Sequence, residues 1–179
     1  MATRNVMVFK QDWEMVNPDF NVSKEVIGLI LEQVYQTHHL EYEVTKQGCA
    51  NKNLVVMTPR GQKEVVRLYC RDPGSLKIEQ SVLAELNGSV PVPTILKTGR
   101  IADVTYCVQN HLPGVLLRDL LLAQEVDVYG LMENVGHVLG LLSKWRFGKS
   151  GFFDDGLTIQ SDGLDYVSYT HKLLDQVKS

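Results

Sequence analysis

Asn53-Leu-Val-Val-Met-Thr-Pro-Arg-Gly-Gln-Lys-Glu-Val-Val-Arg-Leu-Tyr69 is the stretch on which the fold turns. Leu54–Met57 and Glu64–Tyr69 are rich in β-branched and aromatic residues, and Pro59-Arg60-Gly61 between them is turn chemistry, so the stretch predicts a β-hairpin. Downstream, Ile78, Val82, Leu83 and Leu86 recur at helical spacing, which predicts a helix over 75–86 with Gly88 as its stop. Pro91 and Pro93 force extended backbone after it. Ile95-Leu96 and Thr105–Val108 predict a second strand pair turning around Gly99. Upstream, Ser23 caps a helix running to about His38, with Val26, Ile27, Ile30, Leu31, Val34 and Tyr35 as its apolar stripe. His39–Lys46 suits a strand, and Gly48–Asn53 a turn.

Beyond Pro113-Gly114 the pattern becomes helical. Val115–Leu122 predicts a short helix. Tyr129–Trp145 predicts an amphipathic one through Leu131, Val135, Val138, Leu139 and Leu142. Residues 147–156 read as a loop, and Leu164–Val177 as a closing helix. A helix, a mostly antiparallel five-stranded sheet with one packed helix, and an all-helical end make the class α+β.

With 44% hydrophobic and 22% charged residues, the 179-residue chain has a globular composition. A net charge of −3 speaks against nucleic acid as a partner. Cys49, Cys70 and Cys107 are odd in number and form no CxxC pair, which suits a reduced, cytoplasmic setting. No apolar run approaches the ~20 residues of a membrane span, and the N-terminus carries no secretory h-region.

One constellation suggests chemistry. Binding ATP takes a loop that meets phosphates through backbone N–H groups, a long cation on a rigid strand, a carboxylate to hold it, and an apolar slot for the base. Gly48-Cys49-Ala50-Asn51 offers the loop. Arg67 is a cation inside the otherwise mostly apolar run Val65–Tyr69, and Glu79 follows in the next helix. Gln109–Leu112 follows a strand and precedes Pro113-Gly114, where a hinge would lie. Gly148-Lys149-Ser150 is no P-loop, because Ser143 stands where the upstream glycine is needed. His38-His39 is no metal pair, since adjacent helical residues do not face the same way, and Asp154-Asp155 reads as a loop feature.

The order Gly48…Asn51, Val66-Arg67-Leu68, Glu79 with Val82-Leu83 and Leu86, Val90-Pro91-Val92-Pro93, and Tyr106-Cys107-Val108 with Leu112-Pro113-Gly114 resembles the aminoglycoside phosphotransferase family. These are small-molecule kinases with a protein-kinase-like fold. The resemblance covers roughly residues 40 to 155. It implies a kinase-like N-lobe, a hinge and the first helices of an incomplete C-lobe, with ATP and Mg²⁺ as cofactors. Arg67 would contact the α- and β-phosphates and pair with Glu79. Gly48 to Asn51 would cover the phosphates. The Asn110 carbonyl and the Leu112 N–H would bond the adenine edge, and Gln109 would narrow the pocket. Val66, Ile95 and Val108 are candidates to line the slot. The expected division is 1–38 as an N-terminal segment and helix, 39–109 as the nucleotide lobe, 110–114 as hinge and 115–179 as partial C-lobe.

The sequence departs from the family in two places. Cys49 stands where members often carry a second loop glycine. The catalytic His-x-Asp-x-x-x-x-Asn is absent, for none of the five histidines has Asp two residues on. No catalytic residue and no metal ligand is therefore assigned. The reading is the ATP-binding half of a small-molecule kinase, inactive alone. A second chain supplying the missing C-lobe is a possible partner, and the acceptor (sugar, choline-like or amino-acid alcohol) is open. The alternative is a non-catalytic nucleotide-sensing or partner-docking module.

Overall fold

The computed structural model describes residues 22–37, 40–45, 51–123, 127–149, 151–159 and 171. Its elements run α1 (Lys24–Tyr35), β1 (Tyr42–Val44), β2 (Lys52–Met57), β3 (Lys63–Tyr69), α2 (Ser75–Leu86), β4 (Ile95–Ile101), β5 (Val104–Asn110), α3 (Leu117–Ala123) and α4 (Val128–Leu142). The described residues of Met1–Leu76 and Ile95–His111 form one compact unit. Those of Lys77–Thr94 and Leu112–Ser179 form another.

The first unit is a five-stranded antiparallel sheet in the order β1-β2-β3-β5-β4, with α1 packed on it. The expected hairpin is present. Gly61 takes the left-handed conformation at φ 75°, which a side chain would resist, and its N–H donates to the Thr58 carbonyl at 2.9 Å. Thr58 Oγ1 accepts from the Gln62 N–H at 3.1 Å. Period-two alternation then sorts each strand. Leu54, Val56, Val66, Leu68, Tyr106 and Val108 face α1 and bury against Ile27, Ile30, Leu31 and Val34. The odd-numbered residues of β2, β3 and β5 face the other way, where Tyr69, Cys107, Leu76 and Ile95 make a smaller cluster.

Of the boundaries that differ from the sequence reading, two have a clear physical cause. α1 ends at Tyr35, because Gln36 adopts the left-handed conformation and its N–H closes on the Glu32 carbonyl at 2.8 Å. The β4–β5 turn lies at Ala102-Asp103, and Gly99 sits inside β4. The reason is steric. A Cβ on Gly99 would overlap the Tyr106 ring, its register partner on β5. Here glycine makes room for an aromatic side chain, and it makes no turn.

Tyr35 donates its hydroxyl to Glu64 Oε2 at 2.8 Å, and Lys97 Nζ donates to the Val34 carbonyl at 3.0 Å. Both groups line a cavity of about 500 Å³ on the α1 side of the sheet. Burial, followed by the hydrogen bond to Glu64 and its charge, pushes the Tyr35 hydroxyl pKa up from its ordinary value of 10.0. Above that value the unfolded chain releases a proton that the folded chain retains, so stability falls as pH rises through 10. Thermal melts from pH 8 to 11 are expected to show this loss, and Tyr35→Phe is expected to reduce it, burial of Cys70 and Tyr106 raising their pKa values and supplying the remainder. An equal alkaline slope in both proteins would remove Tyr35 as the cause.

In the second unit, Gly88 stops α2 in the left-handed conformation at φ 81°, as expected. Asp127 caps α4 by accepting the Tyr129 N–H at 3.1 Å. α4 buries none of its residues, and Leu139 remains 59% exposed. Trp145 Nε1 donates to Glu85 Oε1 at 3.2 Å, and Ser81 Oγ donates to the Asp155 carbonyl at 2.5 Å. Asp154 is a loop former, its Oδ1 accepting from the N–H groups of Gly156 (3.0 Å) and Thr158 (2.8 Å). The helix expected over 164–177 lies outside the described residues, His171 excepted.

Candidate functional site

The sheet face opposite α1 carries the polar residues that the sequence singled out. Arg67 is in the middle of β3, half-buried, and registers with Asn53 on β2 and Cys107 on β5. One step along, Val65 registers with Val55 and Gln109, and Gln109 with Ile95. Because residues two apart on a strand share a face, the face has two adjacent rows. One is Asn53–Arg67–Cys107. The other is Val55–Val65–Gln109–Ile95, which is apolar except for Gln109.

The Arg67 row is built to hold a cation. The guanidinium carbon lies 5.7 Å from the Tyr69 ring centroid, on the side chain two residues along the same face. Tyr69 is 1% exposed, and its hydroxyl meets Cys107 Sγ at 3.5 Å, so the ring is a fixed floor. Asn53 Oδ1, a buried acceptor in the same row, has no hydrogen-bond partner. An orphaned buried acceptor is costly unless a ligand or water satisfies it.

Arg67 and Gln109 thus share this face, and Gln109 is buried at 5% exposure. Asn110 is the last residue of β5, registering with Glu64. Asn51 immediately precedes β2, half-buried, at the end of the sheet where the Arg67 row lies. Gly48 lies outside the described residues. Glu79, half-buried in α2, and Leu112, 41% exposed after β5, belong to the second unit.

The slot candidates need correction. Val66 and Val108 are fully buried in the α1 core, on the face away from Arg67. Even numbering puts them there, one residue out of phase with Arg67. Val55, Val65 and Ile95 lie on the Arg67 face. Counting back two residues from Arg67 finds Val65. Asn53 and Tyr69, which the sequence reading did not single out, also share this face; the same period-two count from Arg67 reaches Tyr69, while only strand register reaches Asn53.

The face suits a nucleotide. A flat base fits the apolar row, and the phosphates fit the row with the cation. Among the described residues no three His, Cys, Asp or Glu side chains gather to hold a metal. No helix among the described residues is long and apolar enough to cross a membrane.

No protein-family profile and no curated protein matches the sequence. Solved structures do match the fold. Aminoglycoside phosphotransferase APH(4)-Ia superposes with a TM-score of 0.65 at 16% identity, covering 87% of this chain and 51% of its own. A thermostable mutant of that enzyme, in ternary complex with ADP and hygromycin B, gives 0.63 at 18%, covering 84% and 50%. Another, with AMP-PNP and hygromycin B, gives 0.63 at 17%, covering 85% and 55%. The chain spans about half the length of these structures. The fold that the sequence resemblance implied is thus the fold observed: a protein-kinase-like N-lobe with helices, as in about half of an aminoglycoside phosphotransferase.

Proposed function

We propose that this chain is the ATP-binding half of a small-molecule kinase. The observation that carries the reading is the pair of rows opposite α1, where Arg67 on its Tyr69 floor stands beside the Val55–Val65–Gln109–Ile95 row. Val55, Val65 and Ile95 would line the base, with Gln109 narrowing the slot at its buried end. Arg67 would meet the α- and β-phosphates, and the loop of Gly48 to Asn51 would cover them with backbone N–H groups. Asn53 Oδ1 accepts, so it would reach a ribose hydroxyl or a bound water but no phosphate oxygen. Glu79, Asn110 and Leu112 keep the roles that the resemblance implies. Mg²⁺ would arrive with the nucleotide and neutralise phosphate charge. Phosphoryl transfer to a hydroxyl rests on positioning and electrostatics, and the catalytic His-x-Asp-x-x-x-x-Asn is not among these 179 residues. Structures of this fold hold ADP or AMP-PNP beside hygromycin B, which supports the nucleotide and leaves the acceptor open.

The test is a thermal melt with and without ATP–Mg²⁺. Ligand at about 100 times its Kd adds about 2.7 kcal/mol, which raises the melting temperature by several degrees. A folded chain that shows no rise overturns the reading. A second reading, a partner-docking module, draws on α4, whose apolar side chains Met132 (47%) and Leu139 (59%) stand exposed. Its mark would be co-purification with a chain that carries His-x-Asp.

A further inference from the structure

The second unit holds a separate pocket of about 200 Å³, walled by Trp145, Phe147, Phe153, Leu86 and Leu142, with Glu85 at its wall. An engineered apolar cavity of ~150 Å³ takes benzene, so this one has room for a group of that size. Its walls are not uniformly greasy. Phe147 and Phe153 meet edge to face at 4.7 Å between centroids, 61° apart. Trp145 Nε1 donates to Glu85 Oε1 at 3.2 Å, an exposed hydrogen bond that sets the carboxylate beside the indole. Three aromatic rings and one carboxylate thus converge on one small cavity.

That combination has a defined preference. Aromatic faces carry negative potential and attract a cation that sheds its water easily. Glu85 adds a full negative charge. An alkylated ammonium matches both the rings and the aliphatic wall, since its methyl groups fill apolar space while its charge lies among the aromatic rings beside Glu85. A neutral molecule of the same shape gains only the burial. An inorganic cation fits poorly, because one carboxylate cannot replace its water shell.

We propose that this pocket binds a small quaternary or tertiary ammonium group. It is a site distinct in residues from the nucleotide face, and it needs neither Arg67 nor ATP. The ligand is seated against Trp145, Phe147 and Phe153, with Glu85 as its counter-ion.

The test uses the whole chain without nucleotide and follows the Trp145 indole N–H resonance by NMR. Trp13→Phe identifies it, because the chain has two tryptophans. The probes are choline and its neutral isostere 3,3-dimethylbutan-1-ol. Choline is expected to move the resonance saturably and to bind about tenfold more tightly than the isostere, the usual gain of a partly desolvated cation–π site. Glu85→Gln is expected to weaken choline several-fold and to leave the isostere unchanged. Equal binding of the two probes in the unmutated chain makes the pocket an apolar cavity and overturns the proposal. So does a resonance that neither probe moves.

Discussion

Ile30→Ala is expected to remove about 2–5 kcal/mol of stability, the range for deleting a buried aliphatic side chain whose cavity does not collapse. Ile30 is 0% exposed at the centre of the α1 stripe. It packs in one cluster with Leu54, Val56, Val66, Leu68, Tyr106 and Val108, so the void opens between a helix and three strands. Strands held in a ladder shift little, which limits relaxation. Domains are stable by only ~5–15 kcal/mol, so the loss takes a large share. Chemical denaturation should show a lower midpoint with an unchanged slope. Leu29→Ala is the control. Leu29 is 53% exposed, and a change within about 0.5 kcal/mol is expected there. If the two variants match, α1 does not pack on the sheet as described.

Arg67→Ala is expected to cut the nucleotide-dependent rise in melting temperature to about half or less at a ligand concentration about 100 times the Kd of the unmutated chain. A charge-assisted hydrogen bond is worth about 1.5–3 kcal/mol, so affinity should fall roughly 10- to 100-fold. The unliganded variant should stay folded, because Arg67 is half-buried on the face away from the α1 core. Arg67→Lys separates charge from shape. Lysine keeps the charge but loses the planar head that lies over Tyr69, so partial retention is expected. A full nucleotide response in Arg67→Ala would take the phosphate role from this residue. Loss of folding without ligand would instead make Arg67 structural.

Several elements were legible in the chain because their causes are local. Thr58-Pro59-Arg60-Gly61 encodes its turn whatever surrounds it, since only glycine accepts the left-handed conformation at position 61 at no cost. The apolar spacing over 75–86 and Gly88 just beyond located α2 at its observed bounds. Ser23 caps α1 through the Val26 N–H at 3.3 Å, as its residue type suggested. The misread elements depend on neighbours distant in sequence. Gly99 looked like a turn residue, and only the Tyr106 ring across the strand pair explains it. Val66 and Val108 were slot candidates because the family resemblance implied them. A β-strand places adjacent residues on opposite faces, and α1 covers theirs.

The sequence by itself determined the element types, the hairpin, the helix caps and the resemblance to a kinase-like lobe, because propensity, turn chemistry and periodicity act within a few residues. It also put Arg67 on a strand. The tertiary structure decided which face of that strand Arg67 shares, that Tyr69, Asn53 and Gln109 stand with it, and that Trp145, Phe147, Phe153 and Glu85 enclose one pocket. Such choices arise from strand register and from which face a helix covers. Those are set by burying apolar area between segments far apart in the chain, which no local pattern records.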